Sequence, residues 1–508
     1  MKRILNISLM IPFLFLASCD LDLYPVTSYN EGNVTVTEDT ESQYTTREQM
    51  KGLRDGIYSS NLKGDLIQRC AYMDRLVYTE CRSDNAYAGT NSAELVTAEA
   101  NNIDPENVNV VRDWSDYLTQ VSNANQIICN IDAVAEMDPA LTEQEHSQWK
   151  AEALVLRSWY LYMMVQLWGD VPMVLVIPPA ITSENVETVY EEYFPGRTPV
   201  EDVYAQIIGD LEYATEYAPD PNVGEGGDKF LLSKAFAEGL LARIYAENTV
   251  YQDWNKVAQY CQKVEAWGFT LCDDYGEMWS YNDDDATRNT SESIFEVTYS
   301  RASGNWVNWM FYRDAYNPSG SYTWAKWVTP SRDLIAAYDA AGDTERKAAC
   351  IAFDECTWSN YYPNYEYAFM NKVPTGASSL IFMRLGEIYL LHAEALARQN
   401  ILTGDGSAED YVNRIRTRAG LGGLTPSQTS SQEVMLDAIL NERRLELAFE
   451  GFRFFDLVRF GRISEVDDLY LTDSYWQTRS PMTEDTILLP VSALAISQNT
   501  NLTQNPGY

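Results

Sequence analysis

"NERRLELAFEGFRFFDLVRFG", residues 441–461, sets four arginines against four carboxylates among large apolar side chains, in a chain that is otherwise strongly acidic. On an ideal helix over 433–450, at 100° per residue, Met435, Leu436, Ala438, Ile439, Leu440, Leu445, Leu447 and Phe449 cover a broad apolar arc. Asp437, Asn441 and Arg444 fall outside that arc and face water. Glu442, Arg443, Glu446 and Glu450 fall inside it, where carboxylates are costly unless cations meet them. Arg443 is spaced i,i+3 from Glu446, and Arg453 and Arg459 follow the helix-ending Gly451. The stretch therefore predicts a buried ion network of Glu442, Arg443, Glu446, Glu450, Arg453 and Arg459. It locks a helix to the turn after it and is structural rather than catalytic.

Helical spacing dominates the rest of the chain. Trp149, Ala153, Leu156, Tyr160, Met163 and Leu167 lie on one helical stripe that Gly169 and Pro172 end. Thr198-Pro199-Val200-Glu201 and Ser430 with Glu433 read as capping boxes. Further helices are predicted near 47–60, 114–136, 233–248, 253–267, 331–341, 384–399 and 408–419. Short connections make many of them antiparallel pairs that stack as in a solenoid, although no clean 34-residue repeat is present. The stretches 61–112, 170–197, 270–330 and 342–383 read as long and irregular, with short strand-like pieces at 293–299 and 486–489. The expected architecture is mostly α, a tetratricopeptide-like scaffold of helical pairs supporting a loop-rich half. No proline- or serine-rich linker divides 19–508, which is read as one globular unit with a boundary in character, not in domain, near 268/269.

The formal charge of −37 over 508 residues argues against nucleic-acid and polybasic membrane partners, which need clustered Lys and Arg. At the N-terminus, Lys2 and Arg3 precede an apolar run from Ile7 to Leu16, too short to span a bilayer. Leu16-Ala17-Ser18-Cys19 follows, and resembles a bacterial lipobox. On that reading residues 1–18 are a signal peptide and Cys19 carries a lipid that anchors an otherwise soluble protein. Seven cysteines remain, too odd a number to pair completely. Cys70/Cys81, Cys261/Cys272 and Cys350/Cys356 are near enough in sequence to consider. No Cys/His cluster suggests a metal, and the only histidines, His146 and His392, lie in helical patterns.

The signature 441–461 resembles that of the SusD/RagB family of outer-membrane nutrient-binding lipoproteins. "AEALVLRSWYLYMMVQLWGDVPMV" (151–174), "RLGEIYLLHAEALARQ" (384–399), "VNRIRTRAGL" (412–421) and "LLPVSALAISQNTNLTQNPGY" (488–508) resemble other family segments in the same order. The resemblance runs essentially from the lipobox to Tyr508. It implies a non-enzymatic surface protein that captures oligosaccharide, and a TonB-dependent transporter of the SusC type as partner. The motifs that carry it are scaffold motifs and do not name the ligand.

For ligand contact, "YSRASGNWVNWMFYRDAYNPSGSYTWAKW" (299–327) has the most unusual composition, with Trp306, Trp309, Trp324 and Trp327 among Gly, Ser, Asn and Pro. A flat ring in a loop offers an apolar face to a pyranose, and nearby Asn, Asp or Arg can fix its hydroxyls. Most of these aromatics are expected to pack beneath the loop, with at least one tryptophan serving as platform. Trp279 and Tyr281, the run Trp358, Tyr361, Tyr362 and Tyr365, and the group Asp84, Asn85 and Tyr87 are further candidates. The last is placed by analogy of position with the family's N-terminal loop, and also reads as a simple Asx turn. No cofactor is expected, though the acidic loop 281–289 leaves room for a calcium ion without the usual twelve-residue pattern. "GEGGD" (224–228) lacks the Lys-Ser/Thr of a phosphate loop. Two other functions stand beside glycan capture: the same architecture binding peptides, and a glycoside hydrolase using two carboxylates.

Overall fold

The stripe that starts at Trp149 forms the core of a long helix, Glu143–Trp168, capped by Thr142 and Glu145 at one end and Gly169 (φ 70°) at the other. From Ala151 onward every residue but Gln166 is buried, because neighbours pack on it from several sides. Val108–Ile128 and Val200–Tyr217 flank it, Lys234–Ala246 follows, and Trp254–Ala266 packs on that. Leu385–Arg398 takes the next place against Trp254–Ala266, and Ala408–Arg418 and Gln432–Glu446 pack on Leu385–Arg398. The result is a stack of antiparallel helical pairs, interrupted after 266 and resumed at 385. The structure is a computed structural model and describes residues 44–89, 92–179, 185, 189–318, 326–473, 475–476 and 479–508. The leader with Cys19, and Trp324, lie outside the described residues.

Between 267 and 384 the chain leaves the stack. One short antiparallel pair, Ala86–Ala88 with Val328–Pro330, binds this part to the rest, and two more, Ser293–Val297 with Leu380–Arg384 and Ile351–Asp354 with Tyr367–Met370, tie it together internally. One cluster of buried apolar residues runs from Met50 to Leu502 and includes the underside of this insertion.

Several local expectations need correction. Thr198 and Glu201 form no capping box: Pro199 precedes Val200–Tyr217, and the Asp170 carboxylate accepts the Val200 amide at 2.9 Å instead. The cap of Gln432–Glu446 is Ser431, one residue after Ser430. Within 61–112, Ile67–Asp74 and Arg75–Thr79 form a continuous helical segment, wound partly as a π-helix. It is buried on nearly all sides, Gln68 and Asp74 included, so it carries no apolar face set against a polar one to read. The 486–489 piece is a helical turn, Glu484–Ile487, not a strand. All seven described cysteines are free, so none of the three neighbouring pairs is bridged. His146 meets Asp132 and the buried His392 meets Glu265, each at 2.7 Å. Among the described residues no group of three or more His, Cys, Asp or Glu is placed to hold a metal, and no helix is long and apolar enough to cross a membrane.

Candidate functional site

The signature helix ends at Glu446, and the turn after it places Phe449 at φ 61° and Gly451 at φ 81° before the short helix Arg453–Arg459. Glu446 is fully buried and accepts Arg384 at 2.5 Å, Arg346 at 3.0 Å and also Arg418. Glu442 meets Arg346 and Arg416 at 2.7 and 2.9 Å. Glu450 meets Lys372 at 2.6 Å and Arg384 at 2.7 Å. Gly386 lets these groups converge, since a Cβ there would lie 2.5 Å from the Arg384 guanidinium and 2.8 Å from Glu446 Oε1.

The cations that meet these carboxylates are therefore not the ones the local spacing suggested. Arg443 turns to Asp456 at 2.8 Å, and Arg459 joins Asp456 and Glu394. Arg453 clasps Asp84 through two bonds of 2.7 Å, and Arg444, expected in water, bonds Asn85 at 3.0 Å and Asp333 at 2.6 Å. Helical spacing places a side chain on a face, but the elements that pack on that face supply its partners. Burial pushes the Glu446 carboxyl up, but Arg418, Arg384 and Arg346 outweigh it and hold it well below the usual range. Burial pushes Glu80, which accepts Asn85 and the Gly451 amide, up to about 7. Each carboxylate of the cluster is met by at least one cation in the interior, which makes the cluster a clamp between chain segments.

The same geometry removes Asp84, Asn85 and Tyr87 from any open surface. Asp84 and Asn85 are held by the signature arginines, and Tyr87 is wholly buried, stacked on Tyr361 at 4.7 Å and against Trp476 at 4.3 Å. Trp279 is buried under Lys372, 4.3 Å from its ring, and belongs to the clamp. Tyr362 and Trp358 join the Tyr87 cluster, whereas Tyr365 projects outward, 77% exposed.

The loop-rich half does contain an open hollow of about 480 Å³, with Trp306, Trp309, Met310 and Tyr316 on its walls. The short helix Asn308–Phe311 presents Trp309, and buried Lys326 holds its carbonyl at 2.6 Å. Burial pushes the Lys326 amine down to about 8. Trp306 is half-buried and donates its indole N–H to Asp65 at 3.1 Å. Opposite, the Arg301 guanidinium lies 4.3 Å over the Tyr316 ring, whose hydroxyl donates to the Asn282 carbonyl at 2.9 Å. Exposed Tyr281 meets Tyr316 edge-on at 5.8 Å. Asp314 is the one carboxylate among the described residues that line the hollow, and it accepts the Tyr316 and Gly376 amides.

Gly376 and Ala377 close the floor. The two loops cross there so closely that a Cβ on Gly304 would lie 2.9 Å from the Gly376 carbonyl oxygen. Asn305 pins the crossing, its amide donating to the carbonyls of Gly376 and Ser378 at 3.1 and 2.8 Å. Trp327 packs against the main core and does not line the hollow. Arg301, Asp314 and Tyr316 lie in the aromatic stretch but were not singled out by its composition, and the 374–377 segment had no local signal at all. In the acidic loop 281–289, Asn282 caps Asp284 and Asp285, and Asp285 pairs with Arg288, while Asp283 and Asp284 are exposed.

The chain was compared with known proteins. A family model described as "SusD family" matches residues 357–508, and one described as "Starch-binding associating with outer membrane" matches residues 36–246. SusD-like protein P2 of Formosa agariphila is 26% identical, the match covering 92% of this chain and 94% of that one. Starch-binding protein SusD of Bacteroides thetaiotaomicron is 23% identical, covering 72% and 74%. Among solved structures, Surface glycan-binding protein A from Bacteroides fluxus superposes with a TM-score of 0.71 at 21% identity, covering 92% of this chain and 100% of that one. A structure named Laminarin binding SusD-like protein gives 0.68 at 22%, with the same coverage. The two models lie either side of the segment that carries Trp306, Trp309 and Tyr316, so of the hollow they match only its floor at Gly376 and Ala377. With both ends of its helical stack matched by the two family models, and relatives of that name aligned over most of its length, the chain belongs to the SusD family.

Proposed function

We propose that this chain is a non-catalytic glycan-binding lipoprotein of the outer membrane. It holds an oligosaccharide in the Trp306/Trp309 hollow and passes it to a TonB-dependent transporter of the SusC type. The observation that carries the reading is the hollow itself, about 480 Å³ and open, with two tryptophans and the Arg301–Tyr316 pair on its walls. Ring faces take the apolar C–H face of a sugar by burial, at about 25 cal/mol per Å². Arg301 and the loop amides and carbonyls then orient the hydroxyls. A glycoside hydrolase uses two facing carboxylates, and among the described residues the hollow is lined by one, Asp314, already engaged by two amides. The names of relatives such as Starch-binding protein SusD and the Laminarin binding SusD-like protein point the same way.

Calorimetry with a panel of polysaccharides and peptides tests this reading. One glycan class is expected to bind at micromolar to millimolar strength, about −8 to −4 kcal/mol, without products on prolonged incubation. Binding by peptides alone, or cleavage of a bound glycan, refutes it. The anchor is tested separately: Cys19→Ala is expected to release the protein from the membrane fraction, and unchanged membrane association would remove the lipid from the proposal.

A further inference from the structure

Away from the hollow, a crevice of about 40 Å³ lies behind the signature, lined by the guanidiniums of Arg75, Arg243, Arg443 and Arg459 and the carboxyls of Glu247, Glu387 and Asp456. The carboxyls are already committed. Glu387 takes Arg243 through two bonds of 2.6 Å. Asp456 is shared between Arg443 and Arg459. Glu247 accepts the Tyr162 hydroxyl and the Gln166 amide at 2.7 and 2.9 Å, and its burial favours the uncharged form.

Arg75 is left without a carboxylate among the described residues. Its Nη2 donates to Gln166 Oε1 at 2.7 Å, and its guanidinium lies 4.9 Å over Phe455. Its Nη1 is buried with no acceptor, and so is Nη1 of Arg443, a side chain only 4% exposed. A second crevice of about 30 Å³ shares Arg75, Tyr162, Arg243 and Phe452 with the first and adds Glu450, which is already bound to Lys372 and Arg384. Two buried cationic donors therefore face a small space in which positive charge exceeds negative. An uncompensated buried charge is among the costlier features a fold can carry.

We propose that this crevice binds one small monovalent anion of chloride's size, held between Nη1 of Arg75 and Nη1 of Arg443. The space suits a single ion, since one water needs about 10–15 Å³ of such volume, and it does not suit phosphate or a carboxylate-bearing molecule. Water would satisfy the two donors but leave the charge unanswered, whereas a halide does both. The site ties the helix Arg75–Thr79 to the signature helix carrying Arg443, so its occupancy contributes to the stability of the scaffold and is independent of glycan capture.

Crystals grown without halide and soaked in sodium bromide, with diffraction collected at the bromine edge, test the site on the unaltered chain. An anomalous peak in the crevice beside Arg75 and Arg443 is expected. Peaks on the surface only, or none, overturn the proposal. In solution, melting in sodium chloride is expected to lie about 1–2 °C above melting in sodium gluconate at equal ionic strength. Arg75→Met is expected to abolish that difference. Should Arg75→Met not fold, the bromide map decides alone. Equal melting in the two salts, or a salt difference that survives Arg75→Met, also counts against the site.

Discussion

Trp309 and Trp327 lie eighteen positions apart in one aromatic stretch, yet their environments oppose each other. Trp309 stands on the wall of the hollow, while Trp327 packs on the core with its amide donating to the Met310 carbonyl at 2.8 Å. Trp309→Ala is expected to cost about 1–2 kcal/mol of binding, tenfold or more in affinity, with the melting temperature within a few degrees of the parent. Trp327→Ala is expected to do the reverse, lowering unfolding free energy by about 2–3 kcal/mol. Calorimetry beside thermal melting on the two variants separates them, and normal glycan binding by Trp309→Ala would move the site elsewhere. Glu446→Ala is expected to lose about 3–5 kcal/mol of stability, since it takes away the one carboxylate that Arg346, Arg384 and Arg418 share and leaves an excess of buried positive charge. Any loss of ligand should then follow unfolding in a denaturant titration. Composition alone could not rank the tryptophans, because burial depends on which chain segment arrives above or below each ring.

The loop crossing at Gly304 and Gly376 decides whether the hollow has a floor. Gly304→Ala pushes a methyl group against the Gly376 carbonyl, 2.9 Å away, and that backbone has little freedom to yield because Asn305 holds it. The helical stack is untouched. The expected outcome is a severalfold weaker glycan with unchanged far-ultraviolet circular dichroism. Binding equal to the parent would show that the crossing does not shape the site. Helices with one apolar face, such as Ala408–Arg418, were readable to within a residue or two, whereas the signature helix, read to 450, ends at Glu446. Ile67–Thr79 was not readable, because a helix buried all round has no period against which to detect it.

Across the molecule, buried carboxyls fall into two groups with opposite pH dependence. Glu446, Glu450 and Asp84 are buried, yet their arginine and lysine partners hold them below the ordinary carboxylate range. Their stabilisation is whole above about pH 4 and is lost as pH falls, because the unfolded chain then takes up protons first. Burial raises Glu80 to about 7 and Asp113 to about 6. Here the folded chain binds protons first, so stability falls as pH rises from about 4.5 through those values. Urea unfolding against pH is expected to show a maximum near about pH 5, and Glu80→Gln to flatten the limb above it. A curve level from pH 5 to 8 in the parent would contradict this assignment.

The sequence by itself determined the class of the fold and its family, because both are written locally. Helical stripes at Trp149–Leu167 and Met435–Leu447, a glycine after each, and a run of charge inside an apolar arc survive whatever packs against them. It also announced that Glu442, Glu446 and Glu450 had to meet cations. Which cations they meet, and which aromatic rings stay open, only the tertiary structure decided. Arg346, Arg384 and Arg418 reach Glu446 from as far as 100 positions away, and Asp84 reaches Arg453 across 369. The hollow likewise joins 300–316 to 376–377, whose backbones touch through a pair of glycines. Ion pairs and pockets are properties of facing surfaces, and a single strand of sequence shows only one surface at a time.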